Sequence, residues 1–406
     1  MNLRLRKIFF GCWPLLLLLG GAAHSQNQAV RTEGNLAIIR NAAESIAAGN
    51  LDQAEKQLHT VLQENPDEFR ALNLLGIIRA QQRREPEAEE LFKRAIEIKP
   101  DYTSAHASLG LLYLQMSKPD AAISQLKEAL RLDPQRTDVS AALSGVWRNQ
   151  AHAAVQQGDP EKALSLLIEA RKITPNDADV QFNFGMVALR MSLFPDAVQA
   201  FQETLKLRKD DGNALYGLGR AQMGLDKYDE ARESFAHFVQ LHPEDVSGHY
   251  ALGMTLQALQ RSDEARSEYE KSIQLKPVQT ESYFQLGVMD LEAGDLTSAQ
   301  KRFTRVLEQD PHHAGALTGA GRVAFQQKEY AKAVEFLQSA VAASSSIREA
   351  HYYLGLTYAR LGRKEDSDKE LETASRLEKE DLEKHRTVFK IIDPQEAQAP
   401  ATDPNQ

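Results

Sequence analysis

Apolar residues recur along this chain as pairs of helical stripes. Between Gly212 and Phe238, Leu215, Leu218, Gly219 and Gln222 follow an i, i+3, i+4, i+7 spacing. After a short polar break, Ala231, Phe235 and Phe238 follow i, i+4, i+7, so the stretch predicts two amphipathic helices. The phrase then repeats in phase. Gly76, Gly110, Gly185, Gly219, Gly253, Gly287, Gly321 and Gly355 are mostly 34 residues apart. Twelve residues after the first seven stand Ala88, Ala122, Ala197, Ala231, Ala265, Ala299 and Ala333, and after the eighth stands Ser367. Ala42 with Ala54 and Ala151 with Ala163 complete the series, giving ten units that start at Asn35, Phe69, Thr103, Ser144, Ala178, Gly212, Val246, Thr280, Ala314 and Arg348. Two helices of about a dozen residues cannot bury both stripes alone, so each unit needs its neighbours. The expected fold class is all-α, a stacked solenoid.

Prolines punctuate the array. Pro66, Pro100, Pro134, Pro175, Pro243, Pro277 and Pro311 fall where each second helix must stop, because proline lacks the N–H and clashes with the preceding turn. Lys209, Ser345 and Lys379 replace it in three units, where a less sharply cut helix end is expected. Thr137–Leu143 is an insertion of seven residues, two helical turns that lengthen the following helix with little rotation of its apolar stripe. It reads either as a hinge or protruding helix, or as an extension with no role.

The recurring "LLG" at 74–76, "SLG" at 108–110, "GLG" at 217–219, "ALG" at 251–253, "QLG" at 285–287 and "YLG" at 353–355, all but the last followed by the alanine and the proline, resembles the tetratricopeptide repeat (TPR) family. The resemblance covers Asn35 to about Asp381. It implies a right-handed superhelical solenoid of about ten helix-turn-helix repeats. It also implies that the first helix of each repeat lines a concave face that accepts extended peptides or partner helices. Read through that implication, the fifth position of successive units gives Phe182, Tyr216, Tyr250 and Phe284, then Thr318 and Tyr352. Four residues later, on the same helix face, stand Met186, Arg220, Met254 and Val288, then Arg322 and Leu356. Arg148, Arg190 and Arg360 add cations nearby. Aromatics, methionine and arginine anchor interfaces, so the candidate partner-binding residues are Phe182, Met186, Tyr216, Arg220, Tyr250, Met254, Phe284, Arg322 and Tyr352. The competing reading is that an aromatic in that column only shields the helix pair. The basic clamp by which chaperone-binding members of the family hold two carboxylates has no counterpart here, since only Arg148 offers a cation in the fifth column.

The ends of the chain read differently from the array. Residues 1–25 combine a basic opening, MNLRLRK, an apolar run broken by Pro14 and the Gly20-Gly21 pair, and small residues at Ala23-His24-Ser25. That is the pattern of a secretory signal, with cleavage expected between Ser25 and Gln26. The expected location is therefore exported, periplasmic or extracellular, with membrane contact only in transit. Residues 26–34 read as a linker, 382–390 as a charged capping helix, and 391–406, "IIDPQEAQAPATDPNQ", as a disordered tail.

Composition narrows the chemistry. The one cysteine, Cys12, lies in the signal, which leaves the exported chain no disulfide, thiolate metal site or cysteine nucleophile. The signal holds three of the 48 basic residues and none of the 57 acidic ones, so what remains is more acidic still. Such a balance argues against general nucleic-acid binding, which rests on phosphate neutralisation by Lys and Arg. Gly319-Ala320-Gly321-Arg322-Val323-Ala324 fits a GxGxxA pattern but sits inside a helical stripe, not between a strand and a helix as a dinucleotide fingerprint requires. His312-His313 beside Asp310, and His237, His242 and His249, lack the spacing of a metal site. No cofactor, metal or catalytic residue is expected. The function expected is a non-catalytic scaffold of the cell envelope or secreted fraction that holds a protein or peptide partner. The alternatives are a polysaccharide-export or envelope-assembly subunit and, from another class, an enzyme-associated substrate-presenting array.

Overall fold

The computed structural model describes residues 26–392, with side chains placed between 33 and 381. The signal segment at 1–25 and the tail beyond 392 lie outside the described residues. Among the described residues there are twenty helices and no strand, and no helix is long and apolar enough to cross a membrane.

The described residues divide into two compact units, one ending at Lys209 and the other beginning at Asp210. In the first, helices pair as α1 (Gln26–Ala47) with α2 (Leu51–Glu64), α3 (Phe69–Gln81) with α4 (Glu85–Ile98), and α5 (Thr103–Gln115) with α6 (Pro119–Leu132). α7 (Thr137–Gln156) with α8 (Pro160–Ile173) and α9 (Ala178–Arg190) with α10 (Phe194–Leu207) complete it. In the second, the pairs are α11 (Gly212–Met223) with α12 (Tyr228–Leu241), α13 (Val246–Ala258) with α14 (Ser262–Leu275), and α15 (Thr280–Glu292) with α16 (Leu296–Gln309). α17 (Ala314–Gln326) with α18 (Tyr330–Ala343) and α19 (Arg348–Arg360) with α20 (Lys364–Ile392) follow.

The turn inside each pair is the same device ten times over. The residue at position 15 of every repeat has positive φ: glycine at 49, 158, 294 and 362, and Arg83, Ser117, Ser192, Asp226, Gln260 and Lys328 elsewhere. The next N–H then reaches back five residues, as from Arg84 to the Arg79 carbonyl at 2.9 Å and from Lys227 to Gln222 at 2.9 Å. This left-handed cap satisfies the carbonyls that the helix end leaves orphaned. Six repeats adopt it with a side chain present, at a steric cost of about 1–2 kcal/mol each.

Space, not backbone freedom, explains the repeating glycine of the first helix. A Cβ on Gly219 would lie 2.8 Å from the Phe235 ring, one on Gly76 2.6 Å from Phe92, and one on Gly253 2.7 Å from Tyr269. The partner sixteen residues on is wholly buried at Phe92, Phe235 and Tyr269, so first and second helix meet at nearly backbone distance. Between repeats the fit is set one contact at a time. Phe238 stands where the neighbouring repeats carry Thr204 and Ser272, and Gly248 in the following helix makes room for it, with a Cβ there falling 2.6 Å from the ring. Charge sets other junctions. Arg79 of α3 grips Glu55 of α2 through two bonds of 2.6 and 2.9 Å, and that guanidinium holds the Glu55 carboxyl down at about 2. In the second unit the signs reverse: the buried Asp290 of α15 receives Arg266 of α14 at 2.7 Å and Arg302 of α16 at 2.8 Å.

Four expectations change. Residues 26–34 are not a linker, because α1 runs without a break from Gln26 to Ala47. Residues 382–390 are not a separate cap; they continue α20, which has Lys379 where a proline would have stopped it. Lys209 and Ser345 leave their helix ends as sharp as proline does, since α10 and α18 stop at Leu207 and Ala343, two residues before those positions. The insertion neither hinges nor protrudes. Val139 and Leu143 are buried to 1% exposure and share a core with Trp147, Leu126 and Ala129, while Arg136 and Asp138 close the start of α7 with two bonds of 2.8 and 2.7 Å.

Candidate functional site

Several charges on the second helices pair with one another along the same helix. Glu128 with Arg131, Glu169 with Lys172, Glu203 with Lys206 and Arg305 with Glu308 form ion pairs one turn apart at 2.5–2.8 Å. The first helices carry a different surface. There the fifth-position rings are half-buried, each leaning on the buried ring of its own second helix. In the first unit Phe182 meets Phe201 at 6.0 Å. In the second, Tyr216 meets Phe235 at 5.5 Å, Tyr250 meets Tyr269 at 5.9 Å and Phe284 meets Phe303 at 6.2 Å. These rings therefore do shield the helix pairs, and each also keeps part of its surface accessible. Burial pushes the Tyr216 and Tyr250 phenols up, so both remain neutral hydroxyls over the physiological range.

The other candidates differ in what they have left to offer. Met186 is 42% exposed and Tyr352 is 43% exposed, whereas Met254 is half-buried against the core of its own unit. Arg220 is exposed. Arg322 is already engaged: it donates to Glu349 at 2.7 Å and lies 5.1 Å from the centre of the Tyr353 ring. Arg148 is engaged as well, donating to Asp179 at 2.6 Å while Arg208 takes the other oxygen of that carboxylate. The two guanidinium groups, that of Arg208 foremost, hold the Asp179 carboxyl below its usual range.

One cluster escaped the fifth-position reading. Near the end of the second unit Phe325 contacts Tyr330 at 5.8 Å and Tyr353 at 5.9 Å, and Tyr353 stands edge-on to Tyr352 at 5.4 Å. The signal lay in the sixth position, where Tyr353 replaces the Gly217, Ala251, Gln285 and Gly319 of the preceding repeats.

The motifs that resembled chemistry are spent on packing. Gly319 and Gly321 lie inside α17, where added Cβ atoms would strike Phe303 at 2.4 Å and Leu337 at 2.5 Å. His313 caps α17 by accepting from the Ala316 N–H at 3.0 Å. His249 spans a repeat, with Nδ1 2.6 Å from Glu268 and Nε2 2.9 Å from the Pro243 carbonyl. His351 repeats that arrangement with Glu370 and the Ser345 carbonyl. Among the described residues no group of three His, Cys, Asp or Glu side chains could hold a metal ion.

Paired helices, a left-handed turn at a fixed position and a glycine pressed on a ring define a stacked helical-hairpin repeat protein. A family model described as the C-terminal domain of cilia and flagella-associated protein 70 matches residues 21–282, well over half of the chain, and a tetratricopeptide-repeat model matches 284–346. The chain belongs to the tetratricopeptide-repeat family. Similar solved structures include the 41-end part of MamA from Desulfovibrio magneticus RS-1, 25% identical, covering 42% of this chain and 96% of that one with a TM-score of 0.40. YrrB, described as a TPR protein with an unusual peptide-binding site, is 27% identical over 45% of this chain and 95% of its own, with a TM-score of 0.39. Yeast Tom70 is 13% identical over 91% and 100%, with a TM-score of 0.37. No curated protein matches the chain.

Proposed function

We propose that this chain is an exported, non-catalytic scaffold that holds an extended segment of a partner protein against the first-helix faces of its repeats. The observation that carries the reading is the accessible surface of the first helices. On the second helices several exposed charges are paired one turn apart, and such exposed pairs contribute little energy. The first helices present accessible ring edges, a methionine and the exposed Arg220, residue types enriched at interfaces. The secretory pattern of residues 1–25 supports a place in the cell envelope or outside it.

Affinity capture with the purified chain tests the function, and N-terminal sequencing after export tests the location. Capture of one envelope protein, abolished by Tyr216→Ala, Arg220→Glu and Tyr250→Ala without loss of helicity, is the expected result. Capture unaffected by all three substitutions refutes the assignment of these faces. Binding to glycans with no protein partner favours an envelope-assembly role in their place. A mature end other than Gln26 refutes the predicted cleavage.

A further inference from the structure

The last first helix of the array, α19, carries a strip of graded chemistry along its accessible side. Tyr352 is 43% exposed, Leu356 is half-buried one turn later, and Arg360 is exposed at the end of the helix. The charges beside it are not equivalent. Glu349 is consumed by Arg322, whose guanidinium also lies against Tyr353. Among the described residues the Arg360 side chain has no hydrogen bond or ion pair, which leaves one uncompensated cation at the far end of an apolar strip.

We propose that α19 recognises an extended peptide segment of a partner protein in which an apolar side chain is followed by a carboxylate. The apolar group covers Tyr352 and Leu356, and the carboxylate pairs with Arg360. The spacing follows from the two backbones. Tyr352 and Arg360 are eight residues apart on a helix that rises about 1.5 Å per residue, a separation of about 12 Å. An extended chain rises about 3.3 Å per residue, so the acid falls about three to four residues from the apolar anchor. Arginine suits the acidic end because it meets a carboxylate with two parallel N–H donors. The proposal rests on the first-helix faces being the binding surface and assigns the chemistry of what occupies one of them.

A phage library of random twelve-residue peptides, panned against the whole chain, tests it. The selected peptides are expected to share an apolar residue with Asp or Glu three or four positions away. A synthetic copy of one should lose about tenfold or more in affinity on Tyr352→Ala or on Arg360→Glu. Panning against Arg360→Glu should move the selected charge at that position from acidic to Lys or Arg. Both residues are exposed, so circular dichroism of the variants should match the parent. Peptides that bind through Tyr216 and Tyr250 and ignore Tyr352 and Arg360 overturn this proposal and leave the general reading standing. Peptides insensitive to every first-helix substitution overturn both. Concentration-dependent self-association abolished by Arg360→Glu, with no peptide selected, assigns the strip to a second copy and also overturns the proposal.

Discussion

Gly219→Ala, combined with Phe235→Leu, isolates the contact that repeats through the array. The new methyl carbon would lie 2.8 Å from two carbons of the Phe235 ring and 2.9 Å from a third. Ordinary carbon contacts lie at about 3.5–4.0 Å, so the ring must move by more than half an ångström. Phe235 is wholly buried and already abuts Tyr216, and overpacking of this kind costs about 1–3 kcal/mol. Alanine recovers about 1 kcal/mol of helix propensity, so Gly219→Ala alone should destabilise by about 0–2 kcal/mol. Phe235→Leu alone, a modest change of volume, should cost on the order of 1 kcal/mol. The double variant recreates an arrangement the chain already uses, because Ala42 faces Leu58 and Ala151 faces Leu167 at the same positions of two other repeats. The pair should therefore be less destabilised than the sum of the single changes by about 1–3 kcal/mol, the overpacking cost being relieved. Urea unfolding followed by circular dichroism gives the cycle, and amide hydrogen exchange within α11 and α12 reports it locally. Additivity within about 0.5 kcal/mol refutes the claim that glycine is there to make room for the ring.

Gln260→Gly should stabilise the chain by about 0.5–1 kcal/mol, because it removes the steric cost of a left-handed residue, while Gly294→Ala at the equivalent turn should destabilise by about 1 kcal/mol; thermal unfolding of both distinguishes the positional rule from a general glycine effect. Glu55→Gln should cost about 1–2 kcal/mol at neutral pH through the loss of its charge-assisted bonds to Arg79. Since the folded carboxyl titrates at about 2, below its unfolded value, that stabilisation is complete above about pH 5 and is lost as pH falls towards 2; a variant whose deficit persists unchanged at pH 2 contradicts the pairing. Leu143→Ala, in the inserted turns of α7, should cost about 2–4 kcal/mol as a core cavity does, and a change below about 0.5 kcal/mol would show those turns to be ornamental. Gly248→Ala should destabilise through Phe238 and be rescued by Phe238→Ala, as read by urea midpoints.

The sequence by itself determined the repeat. Glycine, alanine and proline recur with a fixed phase because each marks a place where two backbones nearly touch or a helix must end, and those constraints are local enough to appear as residue identity. The helix pairs, most of their starts and the family were legible for that reason, though the first helix begins at Gln26 and not at Asn35. The positive φ at position 15 was not, because six of the ten repeats meet it without glycine, the cap bonds compensating for the strain. Nor was the fate of the insertion, since helical spacing says only that two turns are added, and burial of Val139 and Leu143 depends on the neighbouring α6. The candidate binding face shows the same division. Its composition could be counted along the fifth position, but Arg322 and Arg148 read as available cations until the structure placed Glu349 and Asp179 against them. Those partners sit 27 and 31 residues further on in the chain. Which charge stays free to meet a ligand is a property of the stacked helices, because only stacking brings the competing carboxylate within reach.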